Sequence, residues 1–329
     1  MTDSAVLPGS DQVAVMLKGG RVTVLRDRWN EHANEWIAWV RAPGNPDSYG
    51  RFHRKHFMEL VPEAGRLTLD IGCGEGRVAR DLQADGHKVL GVDWSPAMCQ
   101  AAATHPDKPM RVVVGDAAKL PLPDAAADCV VAFMSLQDID DLAGALKEIA
   151  RVLDDEKKLA LAIVHPMYST GKFSPTENSN VDFVVKRSYF QSRLCISEHS
   201  HGDLKITFFR EHRPLATYVQ ALLSAGFYIE QLLEVTDDDE GSARHRVPMF
   251  LDILATRRPR EKEVGWPNRP GIISRLPGCS ILARSRGAGN LELLRRGRSY
   301  SRLVSPIAFS GVVLFGLLAA AAIAFFTAY

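Results

Sequence analysis

The sequence predicts an α/β protein built on a doubly wound, mostly parallel sheet. Three observations carry the prediction. Short apolar runs alternate with helix-period segments from about residue 67 to 164. Several of those runs close on an acidic residue or a histidine. One of them, Leu69 to Arg77, reads L-D-I-G-C-G-E-G-R, an apolar strand that breaks into the alternate glycines Gly72, Gly74 and Gly76. Strands joined by helical crossovers run parallel, and ligands of such sheets bind beyond the carboxyl ends of the strands.

Val13–Leu17 and Arg21–Leu25 flank Lys18-Gly19-Gly20, and residues 1–25 are left as an extension, since a lone hairpin is marginal in water. From Asp27, read as an N-cap, Trp29, Ala33, Trp36, Ile37 and Val40 recur at helical spacing until Pro43-Gly44. A second helix carries Tyr49, Phe52, His56, Phe57 and Leu60 on one stripe, a packing face that can also cover a ligand site. Strand 67–71 then enters the glycine loop, and Val78, Ala79 and Leu82 mark a helix that stops at Asp85-Gly86. Val89 to Val92 is a strand ending in Asp93, and Ser95-Pro96 opens the next helix, with proline at the first helical position.

Arg111 to Val114 is a third strand, followed by Gly115-Asp116. Asp128 to Phe133 is apolar through its middle, as a strand covered on both faces should be. Asp140-Asp141 caps a helix to about Leu153, and Lys158 to Val164 is a strand closing on His165-Pro166. Residues 167–210, polar and aromatic, read as an insertion over the site. Pro214 starts a helix that ends at Gly226, and strands 227–235 and 249–256 follow, the last returning antiparallel. That makes seven strands, with the domain spanning 26–257.

The chain has 329 residues, with 46% hydrophobic and 24% charged residues and a formal net charge of +1. Its length suits one large α/β domain with appendages, and its overall charge gives no argument for nucleic acid. The charge is uneven: Arg257 to Arg302 holds twelve Lys or Arg against three Glu. Residues 258–303, rich in Arg, Gly, Pro and Ser, read as a basic flexible tether. The five cysteines contain no C-x-x-C pair, which argues against a zinc site or a disulfide framework; no metal is expected.

The amino-terminal residues lack a signal-peptide pattern, so export is not expected. From Leu303 to Tyr329 no side chain is charged, and Ile307 to Tyr329 would span about 34 Å as a helix. With Arg295, Arg296, Arg298 and Arg302 just before it, 304–329 is expected to be a transmembrane anchor that keeps the folded domain at the cytoplasmic face.

The glycine spacing discriminates between ligands. A dinucleotide loop needs G-x-G-x-x-G and a phosphate loop needs a following Lys; here the glycines alternate and Arg77 follows Gly76. Neither phosphate motif fits. An acid at the loop's start suits a ligand that carries an ammonium group and a ribose.

Five ordered motifs then carry a resemblance: L-D-I-G-C-G-E-G-R at 69–77, G-V-D-W-S-P-A-M at 91–98, G-D-A-A-K-L-P-L-P-D at 115–124, A-R-V-L at 150–153, and H-R-P-L with A-L-L-S-A-G-F at 212–227. Together they resemble a class I S-adenosylmethionine-dependent methyltransferase of the type-11 small-molecule group, with a Rossmann-like seven-stranded sheet. The resemblance implies that Gly72, Gly74 and Gly76 let backbone approach the cofactor and that Asp70 lies near its methionine end. It implies that Asp93 accepts from the ribose hydroxyls, Asp116 from the adenine amine with Ala117 beside it, and that Trp94 packs on the adenine.

His165, at a strand end, is the expected general base where the acceptor must lose a proton; His199, His201 and His212 are weaker candidates. An N-P-P-Y or D-P-P-Y tetrapeptide is missing after the fourth strand, where F-M-S-L-Q-D stands, which lowers a nucleic-acid amine acceptor. The expected function is S-adenosylmethionine-dependent methyl transfer to a small-molecule or lipid-like acceptor at the membrane. The rivals are a cofactor-binding interaction module without turnover and a nucleic-acid methyltransferase. Nothing in the sequence fixes the acceptor or the oligomeric state.

Overall fold

Alternating apolar residues give β1 (Thr68–Ile71), and every side chain of it is buried. The structure, a computed structural model, describes residues 24–44, 47–174 and 181–260. Before β1 come α1 (Val24–Glu31), α2 (Ala33–Arg41) and α3 (Arg54–Leu60), the last preceded by a π-helical turn at Tyr49–His53. After β1, α4 (Arg77–Ala84), β2 (Val89–Asp93), α5 (Pro96–Ala103), β3 (Arg111–Val114), β4 (Ala127–Phe133), α6 (Leu142–Val152) and β5 (Leu153–Val164) alternate as expected.

Local chemistry explains the boundaries. The Ser95 hydroxyl accepts from the Met98 amide at the start of α5, with Pro96 at its first position, and Asp141 accepts from the Gly144 amide at the start of α6. Gly86, at φ +91°, takes the left-handed turn that ends α4.

Next come four strands from the insertion region: β6 (Gly171–Phe173), β7 (Phe183–Val185), β8 (Arg193–His201) and β9 (Leu204–His212). The chain finishes its sheet with α7 (Leu215–Ser224), β10 (Phe227–Val235) and β11 (Phe250–Arg257). The seven-stranded sheet has the order β10-β11-β5-β4-β1-β2-β3. β1 pairs in parallel with both β2 and β4, so strand order reverses beside β1 and opens the crevice in which such sheets bind ligands. β11 is antiparallel to both β5 and β10.

Two cores flank the sheet. On one face Leu69, Ile71, Val130 and Ala132 pack with Leu146 and Ile149 of α6 and with Tyr218 and Leu222 of α7. On the other, Cys129, Val131 and Phe133 meet Phe57 and Leu60 of α3 and Val78, Ala79 and Leu82 of α4. The alternation of β4 between the two is the period-2 pattern of a central strand. Each large side chain buried this way contributes roughly 1.5–3 kcal/mol.

Three expectations are corrected. The run from Asp27 is two helices, broken at His32 (φ −99°, ψ 12°), and Asp27 lies inside α1 rather than capping it. The break accompanies an edge-to-face contact of Trp29 with Trp36 at 5.9 Å, although seven residues span about 10.5 Å on a straight helix. The second helix is not α-helical throughout, because Tyr49–His53 is π-wound. The fifth strand starts at Leu153, with Glu156 at φ +61° where the chain enters it.

The insertion is also more ordered than a covering loop. β6–β7 and β8–β9 are antiparallel ribbons, and Gly202-Asp203 makes the second turn with Gly202 at φ +57°. Among the described residues no helix is long and apolar enough to cross a membrane. The expected extension at 1–25 falls almost entirely, and the tether and the span at 304–329 fall mostly or wholly, outside the described residues.

Candidate active site

The carboxyl ends of three neighbouring strands converge on one cavity of about 2280 Å³. Asp70 of β1, Asp93 of β2 and Asp116, just past β3, all line it. So do Gly72, Gly74, Trp94 and Ala117. Gly76 does not: at φ +88° it begins α4, and a Cβ there would meet the Met110 sulfur. Its lack of a side chain is required by this packing.

Gly72 sits at φ +70°, and a Cβ there would lie 2.4 Å from Ser135 Cβ. Ser135 in turn donates to the Ile71 carbonyl at 2.6 Å, tying the loop to the end of β4. Asp93 holds the loop from the other side. Its Oδ2 accepts from the Gly74 amide and its Oδ1 from the Ser95 amide, both at 2.8 Å. Each oxygen keeps one further lone pair for a ligand diol.

Asp70 is different: it is buried, and its Oδ2 has no hydrogen-bond partner. Burial, with the Asp93 carboxylate nearby, pushes its carboxyl up to about 7. Burial also raises Asp93, opposed by its two backbone donors. The Cys73 thiol is driven well up by burial, and further by these two carboxylates, so it stays protonated and inert.

The amino-terminal helices cover this end. Arg26 Nη1 lies 3.2 Å from Asp116 Oδ2, and its guanidinium sits 3.9 Å from the centroid of the Trp94 ring. Glu75, buried in the glycine loop, is held by Arg41 of α2 at 3.0 Å and by Arg80. Trp29 donates to the Phe209 carbonyl at 3.0 Å and meets Phe208 edge-on. Trp36 also packs against Phe208. Helices α1 and α2 and ribbon β8–β9 thus close over the strand ends.

His165 is not brought into the site. It does not line the cavity; its Nδ1 accepts from the Met167 amide at 3.1 Å, and its Nε2 lies 3.1 Å from Glu234 of β10. A strand-end position alone does not fix which way a side chain faces. His212 is likewise engaged, by the Ser169 hydroxyl at 2.6 Å and the Tyr189 carbonyl at 2.9 Å. His199 lines the cavity against Phe208, and His201 does not line it.

One histidine that sequence reasoning missed does line the cavity. His53, in the π-helical turn, places Nε2 2.8 Å from Asp252 Oδ1 of β11, both residues fully buried. A carboxylate can only accept, so Nε2 carries the proton and Nδ1 is left as the acceptor. No hydrogen bond to Nδ1 is present among the described residues. The ring stacks on Phe250 at 4.1 Å and tilts against Phe133 at 4.8 Å, which locks its plane. The sequence signals were an acid in an otherwise apolar strand, F-L-D-I-L, and π-winding, which favours functional sites but has no sequence signature.

The family of methyltransferase domains matches residues 69–161. A relative in Mycobacterium tuberculosis, a probable S-adenosylmethionine-dependent methyltransferase, is 31% identical over 128 residues, 38% of this chain and 46% of the relative. The malonyl-[acyl-carrier protein] O-methyltransferase of Serratia marcescens is 32% identical over 35% of this chain and 46% of its own. The demethylmenaquinone methyltransferase of Corynebacterium kroppenstedtii is 32% identical over 34% and 49%. This chain thus spans just under half the length of these relatives. A solved structure of an S-adenosylmethionine-dependent methyltransferase from Listeria monocytogenes superposes with a TM-score of 0.54 at 25% identity, covering 65% of this chain and all of that one.

The residues present fit the cofactor. A cationic ligand suits the unpartnered, buried Asp70 Oδ2, a diol suits Asp93, and Gly74 leaves bare backbone, with Trp36 Nε1 3.2 Å from where its Cβ would stand.

Proposed function

We propose that this chain transfers a methyl group from S-adenosylmethionine to a small-molecule or lipid-like acceptor at the cytoplasmic face of a membrane. The observation that carries the reading is the convergence of Asp70, Asp93 and Asp116, from three adjacent strand ends, on the glycine loop in one covered cavity. When bound, the cofactor supplies an electrophilic methyl group on a sulfonium. Asp70 holds the cationic end, Asp93 the ribose hydroxyls and Asp116 the adenine amine, with Trp94 alongside. Helices α1 and α2 and ribbon β8–β9 exclude water from the reacting groups.

The protein's remaining task is to align the acceptor and, for an O–H or N–H acceptor, to receive its proton. His53 Nδ1 is the atom that receives it, with Asp252 fixing the tautomer and stabilising the imidazolium that forms. The relatives named for malonyl-[acyl-carrier protein] and demethylmenaquinone support an acceptor other than nucleic acid. The uncharged run Leu303–Tyr329 and its arginine flank support the membrane location.

The test is incubation of the full chain with radiolabelled cofactor and separate lipid and aqueous extracts. Label in the organic phase is expected. Label confined to water-soluble products would remove the lipid-like version. Tight cofactor binding with no transfer to either pool would favour the interaction module.

A further inference from the structure

The outer part of the cavity narrows the chemistry of the acceptor, given the methyl-transfer reading. Most arginines along this cavity already have partners. Arg26 holds Asp116, Arg51 holds Asp237, Arg77 holds Asp47, and Arg193 donates to the carbonyls of Ser188, Gln191 and Ser169. Lys172 of β6, Arg210 of β9 and Arg244 of the 243–246 turn also line the cavity, yet among the described residues none of the three forms an ion pair. Among the described residues the Arg210 side chain donates only to the Ser197 hydroxyl, at a long 3.4 Å, and its Nε is buried without a partner.

These three cations share one neighbourhood. Arg210, Lys172 and Arg244 all bear on His199, adding to burial in holding its imidazole below the usual range. Arg244 and Arg210 both bear on the Tyr168 hydroxyl, opposing the rise that burial causes. Two nearby carboxylates are already paired. Asp237 is taken by Arg51, and Glu211 by Arg213. Asp138, on which Arg210 also acts, has a buried Oδ1 without a hydrogen-bond partner, and burial drives its carboxyl well up, opposed by Arg210 and Arg213. Glu198, exposed on β8, pairs with none of the three. Beside the cations Tyr168 and Phe173 line the cavity, both backed by Phe183, on which Tyr168 stacks at 6.0 Å and which Phe173 meets edge-on at 5.2 Å.

A cation with a buried, unpartnered Nε, as in Arg210, is costly unless a ligand neutralises it, and the exposed Lys172 and Arg244 add positive charge at the same mouth. We infer that the acceptor carries an anionic group, a carboxylate or a phosphate ester, seated against Lys172, Arg210 and Arg244, with its apolar body along Tyr168 and Phe173.

The experiment uses the full chain saturated with S-adenosylhomocysteine and titrates octanoate, octyl phosphate and 1-octanol by calorimetry. Either anion is expected to bind at least about 10-fold tighter than the alcohol, and the tighter of the two identifies the head group. The double variant Arg210→Gln/Arg244→Gln should lose that roughly 10-fold preference while keeping the alcohol and S-adenosylhomocysteine affinities; Lys172→Gln alone should lose part of it. Anions that bind no better than 1-octanol, or variants that keep the preference, would overturn the proposal. A chain that fails to bind S-adenosylhomocysteine would instead sink the methyl-transfer reading, and this inference with it.

Discussion

The Gly74 amide donates to Asp93 Oδ2 at 2.8 Å, so the glycine loop is fastened to the end of the neighbouring strand by the same carboxylate that faces the cavity. Both Asp93 oxygens already accept a backbone amide. Asparagine would point its NH₂ at one of those donors. Asp93→Asn is therefore expected to weaken S-adenosylhomocysteine binding about 10-fold or more, measured by calorimetry. An unchanged affinity would place the ribose elsewhere.

Asp70 makes cofactor binding and stability respond to pH in opposite directions. Its folded value of about 7 stands above the ordinary 3.8, so its contribution to stability is full below 3.8 and is lost as pH rises through 7. A cationic ligand requires the ionised form, so affinity for S-adenosylmethionine should fall as pH drops below about 7. Asp70→Asn should flatten that binding profile and raise the melting temperature of the free protein at pH 8 relative to the parent. A parallel pH profile in the variant would assign the titration to another group.

Gly72 and Gly86 separate crowding from backbone strain. Both have positive φ, but a Cβ at Gly72 would strike Ser135 while one at Gly86 meets nothing within 4 Å. Gly86→Ala should cost about 1–2 kcal/mol from the left-handed conformation alone. Gly72→Ala should cost more, by roughly 1–3 kcal/mol, as Ser135 and its bond to the Ile71 carbonyl shift. Equal losses in urea denaturation would show that the loop relaxes freely.

His53→Gln should lower single-turnover transfer to an O–H or N–H acceptor by roughly 10²-fold or more. The affinity for S-adenosylhomocysteine should stay within about two-fold, since His53 touches none of the proposed cofactor ligands. Asp252→Asn should produce a similar rate loss, because its amide can donate to Nε2 and leave the wrong nitrogen protonated. Full activity in His53→Gln would remove the base from the mechanism.

Much of this protein is legible in its residue order. Local signals set β1 to β5 and α4 to α7 within a few residues: period-2 apolar runs, the Ser95-Pro96 cap, Asp141, Gly86 and Gly226. The same signals located Asp70, Asp93 and Asp116, because a parallel sheet puts the carboxyl ends of its strands on one side. The ribbons of the insertion were missed although Gly202-Asp203 is a recognisable hairpin turn, since the flanking runs mix charged and aromatic residues and lack clean alternation.

By itself, then, the sequence determined the sheet, its helical crossovers and the glycine loop, all of which rest on interactions between residues close in the chain. Only the tertiary structure decided which histidine faces the cavity. His53 and Asp252 meet across 199 positions, and His165 is turned toward Glu234 by the strand beside it. The covering of the site was decided the same way, through Trp29 and Phe209, 180 residues apart. Such contacts depend on how elements pack against each other, and no local spacing encodes that.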